Sequence, residues 1–508
     1  MANADDSYKK LVSRRHPDYL ENIEHWDFLE DCYEGGRGWF EDNIFKYLKE
    51  GDKEFKERVA RAYRFNHARE VVELVNKYIF KMPITRNDAD APDCVKAFWK
   101  KSTRNTRPIE LFSREFSLRS SIYGRVWVVV DSTAKQTAEK KVISKADEKI
   151  SDFRVYAYIV EPQSVLDFSY DENGELNWIL IHESIRDDVD PLNSSGAEQS
   201  RYRLWTRTEW LLFSETKVRN KVIIALADRG EHNLGVVPVV EVDNSFSDDT
   251  EVPSLIADIA YLDRAVANYL SNLDAIIQDQ TFSQLAMPAQ NLSPGEDTYD
   301  KMVEIGTKRI FLYDGEGGSA PFFLSPDVKQ AELILSAIHK IINEIYHTVG
   351  LAGERTKQDN SMGIDNSSGV AKAYDFERVN ALLANKADAL EVAENRILKL
   401  VAMWNGEELD TDLVKYPDTF DVRNLSDEFD IAMKLSLIEA PEELRREQMK
   451  AVVEKLFPKI PEELKKKIDA ELLAWPPKVD LAGLTQSDYP SKSKQGQVGK
   501  GSDTATQL

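Results

Sequence analysis

The chain has 508 residues, of which 42% are apolar and 30% charged. Those values belong to folded globular proteins, and the length allows about three structural units with sizeable cores. Asp and Glu number 88 against 66 Lys and Arg, a net charge of −22 at pH 7. A chain that grips nucleic acid by neutralising phosphates carries the opposite balance, so bulk phosphate binding is excluded as its main business. Two cysteines, Cys32 and Cys94, make no disulfide framework and no CxxC pair, which points to reduced thiols. The start, MANADDSYKKLVSRRH, lacks the apolar core of a signal peptide. No run of about 18 apolar residues occurs, so nothing is expected to span a membrane. The expectation is a soluble protein, intracellular when made.

The first hundred or so residues read mostly as helices. Val71, Val72, Leu74, Val75, Tyr78 and Ile79 recur at three-to-four spacing, which predicts a helix over 66–81 ended by Pro83. Pro108 suits a first helical turn, and Ile109, Phe112, Phe116 and Leu118 supply the apolar side of a helix broken at Gly124. From Arg125 the texture changes to strands, predicted over 126–130, 155–160, 178–182, 202–213, 222–227 and 236–242. Asp171-Glu172-Asn173-Gly174 is a turn signal, and 133–152 and 187–200 read as exposed loops.

After Pro253 long helices return. Leu255, Ile259, Leu262, Val266, Leu270, Leu273 and Ile277 step by three or four, predicting a helix to about Ala286, where Pro288 stops it. Some thirty residues make a helix about 45 Å long. A compact Gly/Pro-punctuated segment, 287–325, follows, with strand-like 308–313 and a flexible 315–318. A second long helix starts near Pro326-Asp327, carries Leu333, Ile334, Ile338, Ile341, Ile342, Ile345 and Val349, and ends at Gly350. Then come a polar loop, 352–368, and a third long helix, 369–404, closed by Asn405-Gly406. Pro441-Glu442-Glu443-Leu444 and Pro461-Glu462-Glu463-Leu464 are twin helix starts, with Pro in the first turn and acids complementing the dipole. Beyond Trp475-Pro476-Pro477 the composition is that of a disordered tail. The expected fold class is α+β and predominantly helical.

Motifs for chemistry are absent. There is no GxxxxGK followed by Ser or Thr, no GxSxG and no HExxH. Of the seven histidines, His16, His25, His67, His182, His232, His339 and His347, the last two lie eight apart on one helix. Zinc sites on helices use an i, i+4 pair instead, so packing or surface roles are expected. Asp171, Asn173 and Gly174 have calcium-loop spacing within 169–180, but Leu180 stands where a bidentate Glu belongs, which favours a hairpin turn. Asp187-Asp188 and Asp248-Asp249 read as solvated loop charges. No catalytic residue, metal or cofactor is expected.

The order of long helix, compact insert, long helix, polar loop and very long helix, after an α+β module, resembles the portal protein of tailed bacteriophages. Asn66-His67-Ala68-Arg69-Glu70-Val71-Val72, leading to Tyr78 and Pro83, is similar to that family's early helix. Leu234-Gly235-Val236-Val237-Pro238-Val239-Val240 resembles its strand before the stem. Ile345-Tyr346-His347-Thr348-Val349-Gly350-Leu351 resembles the end of its second stem helix, and Ser368-Gly369-Val370-Ala371 the opening of its tunnel helix. The resemblance covers roughly residues 20–475.

The resemblance implies a portal-like architecture: an α/β wing at 1–250, long stem helices at 251–286 and 326–350, and a clip insert at 287–325. It further implies a tunnel loop at 351–368, a tunnel helix at 369–405, a wing return at 406–424 and a helical crown at 425–475, with 476–508 as the tail. It implies a closed ring, usually a dodecamer, at one capsid vertex of the virion, made in the host cytoplasm. Double-stranded DNA would pass through it in packaging and ejection. The implied partners are further copies of the chain, the DNA, the terminase motor, the head–tail adaptor, and the major capsid and scaffolding proteins, with no membrane. Long helices with apolar stripes need neighbours, and a ring supplies them on both sides.

Within this scheme the tunnel-loop candidates are Glu354, Arg355, Lys357, Gln358, Asp359, Asn360 and Asp365. Arg355 and Lys357 would touch phosphates briefly, while Glu354, Asp359 and Asp365 keep the contact weak, which suits sliding. Lys301, Lys308, Arg309 and Tyr313 are the candidates for partner binding at the clip. Two other readings fit the residues. One is a helical structural or adaptor protein of a large assembly that never touches DNA. The other is an enzyme built from scattered acids, which metal-dependent turnover would reveal.

Overall fold

A computed structural model of the chain describes residues 2–48, 50–133, 153–218, 221–246, 252–281, 284–288, 310–313, 322–324, 328–350, 369–418 and 420. It also describes a few helical positions between 443 and 453, and residues 462–473. The chain divides into two compact units, Met1–Asp421 and Val422–Leu508.

Helices open the first unit: α1 (Ala2–Val12), α2 (Pro17–Glu34), α3 (Arg37–Asn43), α4 (Asp52–Arg61) and α5 (His67–Ile79). The periodic run around Val71 forms α5, whose first turn is capped by the Asn66 side chain accepting from the Arg69 backbone N–H at 2.9 Å. Its Val71, Val72, Val75 and Ile79 are buried. After the two-residue strand β1 (Thr85–Arg86) come α6 (Asp93–Lys100) and α7 (Ile109–Tyr123). Pro108 is the residue before α7, and Gly124 ends it with a φ of 88°. A Cβ at Gly124 would lie 2.0 Å from the Val252 carbonyl oxygen, so only glycine fits both the backbone twist and the close approach.

The strands form two sheets in this region. β2 (Arg125–Ser132) lies between β3 (Val155–Val160) and β9 (Val239–Asp243), antiparallel to both. β2 is buried on both faces, and its alternation divides two cores. Val126, Val128 and Val130 join the helical core, whereas Trp127 and Val129 face a second core shared with a five-stranded sheet. That sheet is an antiparallel meander of β4 (Val165–Tyr170), β5 (Leu176–Arg186), β6 (Glu198–Thr206), β7 (Glu209–Val218) and β8 (Lys221–Glu231). α1 covers its opposite face, with Tyr8 and Val12 packed on Phe213 and Ile224. Two expectations change here. The single strand foreseen at 202–213 is a hairpin, because Thr206 Oγ1 bonds Glu209 and turns the chain at Arg207-Thr208. β4 was not foreseen; it follows directly on a short 3-10 turn, Pro162–Ser164.

Three long helices follow: α8 (Ala257–Thr281), α9 (Val328–Thr348) and α10 (Gly369–Trp404). The apolar stripe of α8 is buried or half-buried from Leu255 to Leu273 and packs on α9 through Ile338, Ile342 and Ile345. α8 stops at Thr281, short of the expected Ala286. Gln284–Pro288 is instead a strand, β10, pairing in parallel with β11 (Ile310–Tyr313) and antiparallel with β12 (Phe322–Leu324). Two neighbouring strands take its backbone hydrogen bonds, an outcome that helical spacing does not register. Pro288 stands at the strand's end, where its missing N–H is tolerated. The flexible stretch foreseen at 315–318 and most of the loop foreseen at 133–152 lie outside the described residues.

The C-terminal half of α10 is buried on most sides, with Ala387, Leu390, Ala393, Ile397, Leu398 and Val401 in the core and one line of positions, Asp388, Val392 and Arg396, exposed. Beyond it β13 (Val414–Lys415) pairs antiparallel with β1, Thr85 against Lys415. In the second unit Glu462–Leu473 forms α11, at the second of the twin starts. The rest of the expected crown span and the tail lie outside the described residues, apart from the helical positions near 450.

Candidate functional site

Glu354, Arg355, Lys357, Gln358, Asp359, Asn360 and Asp365 lie outside the described residues, as do Lys301, Lys308 and Arg309. Tyr313 is the last residue of β11, opposite Pro288. The frame from which both segments spring is described, and polar side chains inside it fasten the long helices to the α/β body.

α8 is tied to α7 at its start, where Ser254 Oγ donates to the Ile122 carbonyl at 2.6 Å and the Leu255 N–H to that of Ser121 at 3.0 Å. Further along, fully buried Asp263 receives His67 Nδ1 at 2.8 Å and Arg64 Nη1 at 3.4 Å. Asn268 bonds the backbone of Asn43 and Phe45, and Ser271 Oγ accepts from Arg58 at 2.9 Å. Arg58 is itself buried and paired with Glu50 at 2.7 Å. α9 is held by Tyr346 Oη, which donates to Glu70 at 2.6 Å.

Replacing Asp263 by Asn keeps the shape and one acceptor but leaves Arg64 without its counter-charge in a buried site. A loss of about 2–3 kcal/mol is expected, below the cost of deleting a buried partner outright. An unchanged urea midpoint would show that Asp263 does not fasten the helix.

α10 carries the densest network. Glu394 accepts from Arg86 Nε at 2.7 Å and Tyr416 Oη at 2.7 Å, and Asn395 Oδ1 accepts the Leu413 and Val414 N–H groups at 3.0 Å. Lys386 Nζ donates to Asn244 Oδ1 at 2.9 Å and Ser120 Oγ at 3.1 Å. Its neighbour Asn385 accepts the Phe246 N–H at 2.9 Å. Burial pulls the Lys386 ammonium down to about 7, with Asp243 opposing. At the base of the 351–368 segment, Arg378 of α10 meets His347 Nε2 of α9 at 3.4 Å, and Gly350 closes α9 with a φ of 73°.

None of this assembles a reactive centre. Cys32, Asp263 and His67 share one buried region, but Cys32 Sγ accepts from Trp39 Nε1, and burial pushes its thiol up to about 11. A thiol so raised is protonated at neutral pH and inert. At the calcium-like turn, Asp171 Oδ1 accepts the Asn173 and Glu175 N–H groups, and Arg207 supplies the positive charge at 2.6 Å. His339 and His347 are both exposed. No cluster of three or more metal-ligating side chains occurs among the described residues, and no helix among them is long and apolar enough to cross a membrane.

Among solved structures, the chain is similar to one titled neck of an empty GTA particle computed with C6 symmetry. Identity is 10%, 74% of this chain and 88% of that chain are covered, and the TM-score is 0.38. It is also similar to one from the virion of a native gene transfer agent (GTA) particle, at 12% identity, with 75% and 89% covered and a TM-score of 0.36. No curated protein matches it. The family model described as phage portal protein, SPP1 Gp6-like, matches residues 14–466. A match over that much of the sequence makes this chain a member of the phage portal protein family, structural and not enzymatic.

Proposed function

We propose that the chain forms a closed ring of twelve subunits at one capsid vertex, through whose channel double-stranded DNA is packaged and later ejected. The family match over residues 14–466 carries this reading. Exposed apolar side chains on the long helices support the ring. Ile277 near the end of α8 and Leu333 and Leu335 near the start of α9 are 49%, 72% and 41% exposed, and Tyr261 and Tyr269 of α8 are also exposed. A single helix pair leaves that surface to water, and neighbouring copies would cover it. The net charge of −22 suits a channel that repels phosphate rather than holding it.

In this reading the segment 287–325 meets the terminase motor and then the head–tail adaptor, and the capsid and scaffolding proteins surround the ring. Synthesis is in the host cytoplasm. Arg355 and Lys357 touch passing phosphates. End-on images of the purified protein should display rings with an axial hole; monomers alone would remove the reading. With rings intact, charge reversal at Arg355 and Lys357 should lower DNA packaging severalfold. Packaging at the wild-type level would leave the 351–368 segment out of the mechanism.

A further inference from the structure

Two surfaces of opposite sign stand out on this acidic chain. The first follows α6, where Lys100 and the loop Lys101-Ser102-Thr103-Arg104-Asn105-Thr106-Arg107 lead into α7. The loop is tightly built. Ser102 N–H donates to the Arg107 carbonyl at 2.8 Å, Arg107 N–H to Thr103 Oγ1 at 3.0 Å, and Thr106 holds a φ of 61°. The Ala157 N–H donates to the Ser102 carbonyl at 2.7 Å and pins the loop to β3. Lys100, Lys101, Arg104 and Arg107 are exposed. Beside them runs a groove of about 310 Å³, lined in part by Arg104, Arg107 and Arg119 and by Glu115 and Glu161, which pair with Arg107 and Arg119. Among the described residues Lys100, Lys101 and Arg104 form no ion pair, although Arg104 lies in the field of Asp131, and Arg107 pairs with Glu115 at 3.5 Å.

The second surface is acidic. Glu24, Asp27, Asp31 and Glu34 follow one another on α2 at steps of three and four, on the side opposite buried Leu29. Exposed Glu41 and Asp42 of α3 extend it. Like charges at this spacing destabilise a helix. Burial first, and then the Asp42 and Asp27 carboxylates, raise the Asp31 carboxyl from its ordinary value, so like charges crowd this face. No ion pair joins the two surfaces among the described residues. The cationic loop precedes the first residue of α7, whereas Glu30 of α2 lies beside Tyr123, its last. A 15-residue helix puts about 22 Å between those ends, while Glu34, at the C-terminal end of α2, lines a groove with Arg114 and Arg119 of α7 and is partly compensated there.

We propose that the cationic 100–107 loop of one copy docks on the acidic α2–α3 face of the next copy. The inference rests on the ring reading and names the surfaces that join the subunits. Such an interface is head-to-tail, with a different patch on each side, and this is the kind of contact that closes into a ring. Charge complementarity sets register and speeds encounter, and it excludes face-to-face pairing of like patches.

Three chains test it: Lys100→Glu with Lys101→Glu and Arg104→Glu; Asp27→Lys with Asp31→Lys and Asp42→Lys; and one carrying both sets. Circular dichroism checks folding, and sedimentation velocity at moderate salt reads assembly. Each single set should raise the concentration needed for rings about tenfold or more, and the combined chain should assemble nearly as the wild type does. Unchanged assembly in either single set, or a folded combined chain that stays unassembled, would overturn the docking. A cationic-loop variant that assembles normally but loses binding to a short DNA duplex would overturn it in favour of a DNA contact. A wild-type chain that forms no ring would defeat the ring reading itself.

Discussion

Replacing Glu394 by alanine is expected to lower the stability of the Met1–Asp421 unit by about 3–5 kcal/mol. The carboxylate is fully buried and accepts Arg86 Nε at 2.7 Å, Arg86 Nη2 at 3.2 Å and Tyr416 Oη at 2.7 Å. Its deletion leaves a guanidinium side chain that is only 10% exposed with the more distant Glu110, at 3.7 Å, as its remaining acid, and strands the phenol of a buried tyrosine. The loss arises from the unpaired partner more than from the missing attraction, so a second change separates the two. Replacing Arg86 and Glu394 together by methionine should recover most of the stability, because two apolar side chains leave no buried charge behind. Guanidinium chloride unfolding followed by circular dichroism measures both. A Glu394→Ala midpoint equal to that of the wild type, or a double variant no better than the single, would contradict this account.

Lys386→Met is expected to act in the opposite direction. Lys386 is 2% exposed, and Asp243, the acid whose charge acts on it, already pairs with Arg125 Nε at 2.6 Å. The folded-state value near 7 lies below the ordinary lysine value of 10.5. Between those values the unfolded chain holds a proton that the folded chain does not, so stability rises with pH, at most by about 1.4 kcal/mol per unit. Below pH 7 both states are protonated and the full penalty applies, about 4–5 kcal/mol as an upper bound. Methionine removes that penalty and loses the hydrogen bonds to Asn244 and Ser120, about 1–2 kcal/mol. The variant should therefore be the more stable protein at pH 7, by about 2–3 kcal/mol. Its advantage should shrink steadily toward pH 10. Parallel curves for the two proteins across that range would show that Lys386 is charged in the fold throughout.

Lys386 and Asn385 bind the 244–246 stretch that precedes α8, while Glu391, Glu394 and Asn395 bind the 413–416 stretch that follows α10. The buried polar groups sit where one long helix must be registered against short, non-helical chain segments.

The helices were legible from local signals. Period and punctuation predicted 66–81 and 369–404, and the structure has His67–Ile79 and Gly369–Trp404. Those signals suffice because a helix closes its hydrogen bonds within four residues and its caps are adjacent in sequence. The general frame of long helices around an α+β module was legible for the same reason. The end of α8 was not, since Gln284–Pro288 became a strand only through partners at 310–313 and 322–324. Leu333 looked like a core residue of α9 and is exposed, because the start of that helix extends past the elements that bury its middle.

The polar fastenings were invisible in the sequence. Asp263, Lys386 and Glu394 look like solvated charges on long helices, and their burial depends on partners far away in the chain. His67 is 196 residues from Asp263, and Arg86 is 308 from Glu394. A charge inside the arc that a helix's own apolar stripe defines was the one available hint, as for Asp263 beside Leu262 and Val266. The sequence by itself determined the long helices, most of the strands, their order, and the acidic balance of the chain. The tertiary structure alone decided which charges are buried and paired, because desolvation and pairing depend on neighbours brought together by the fold and not on spacing along the chain.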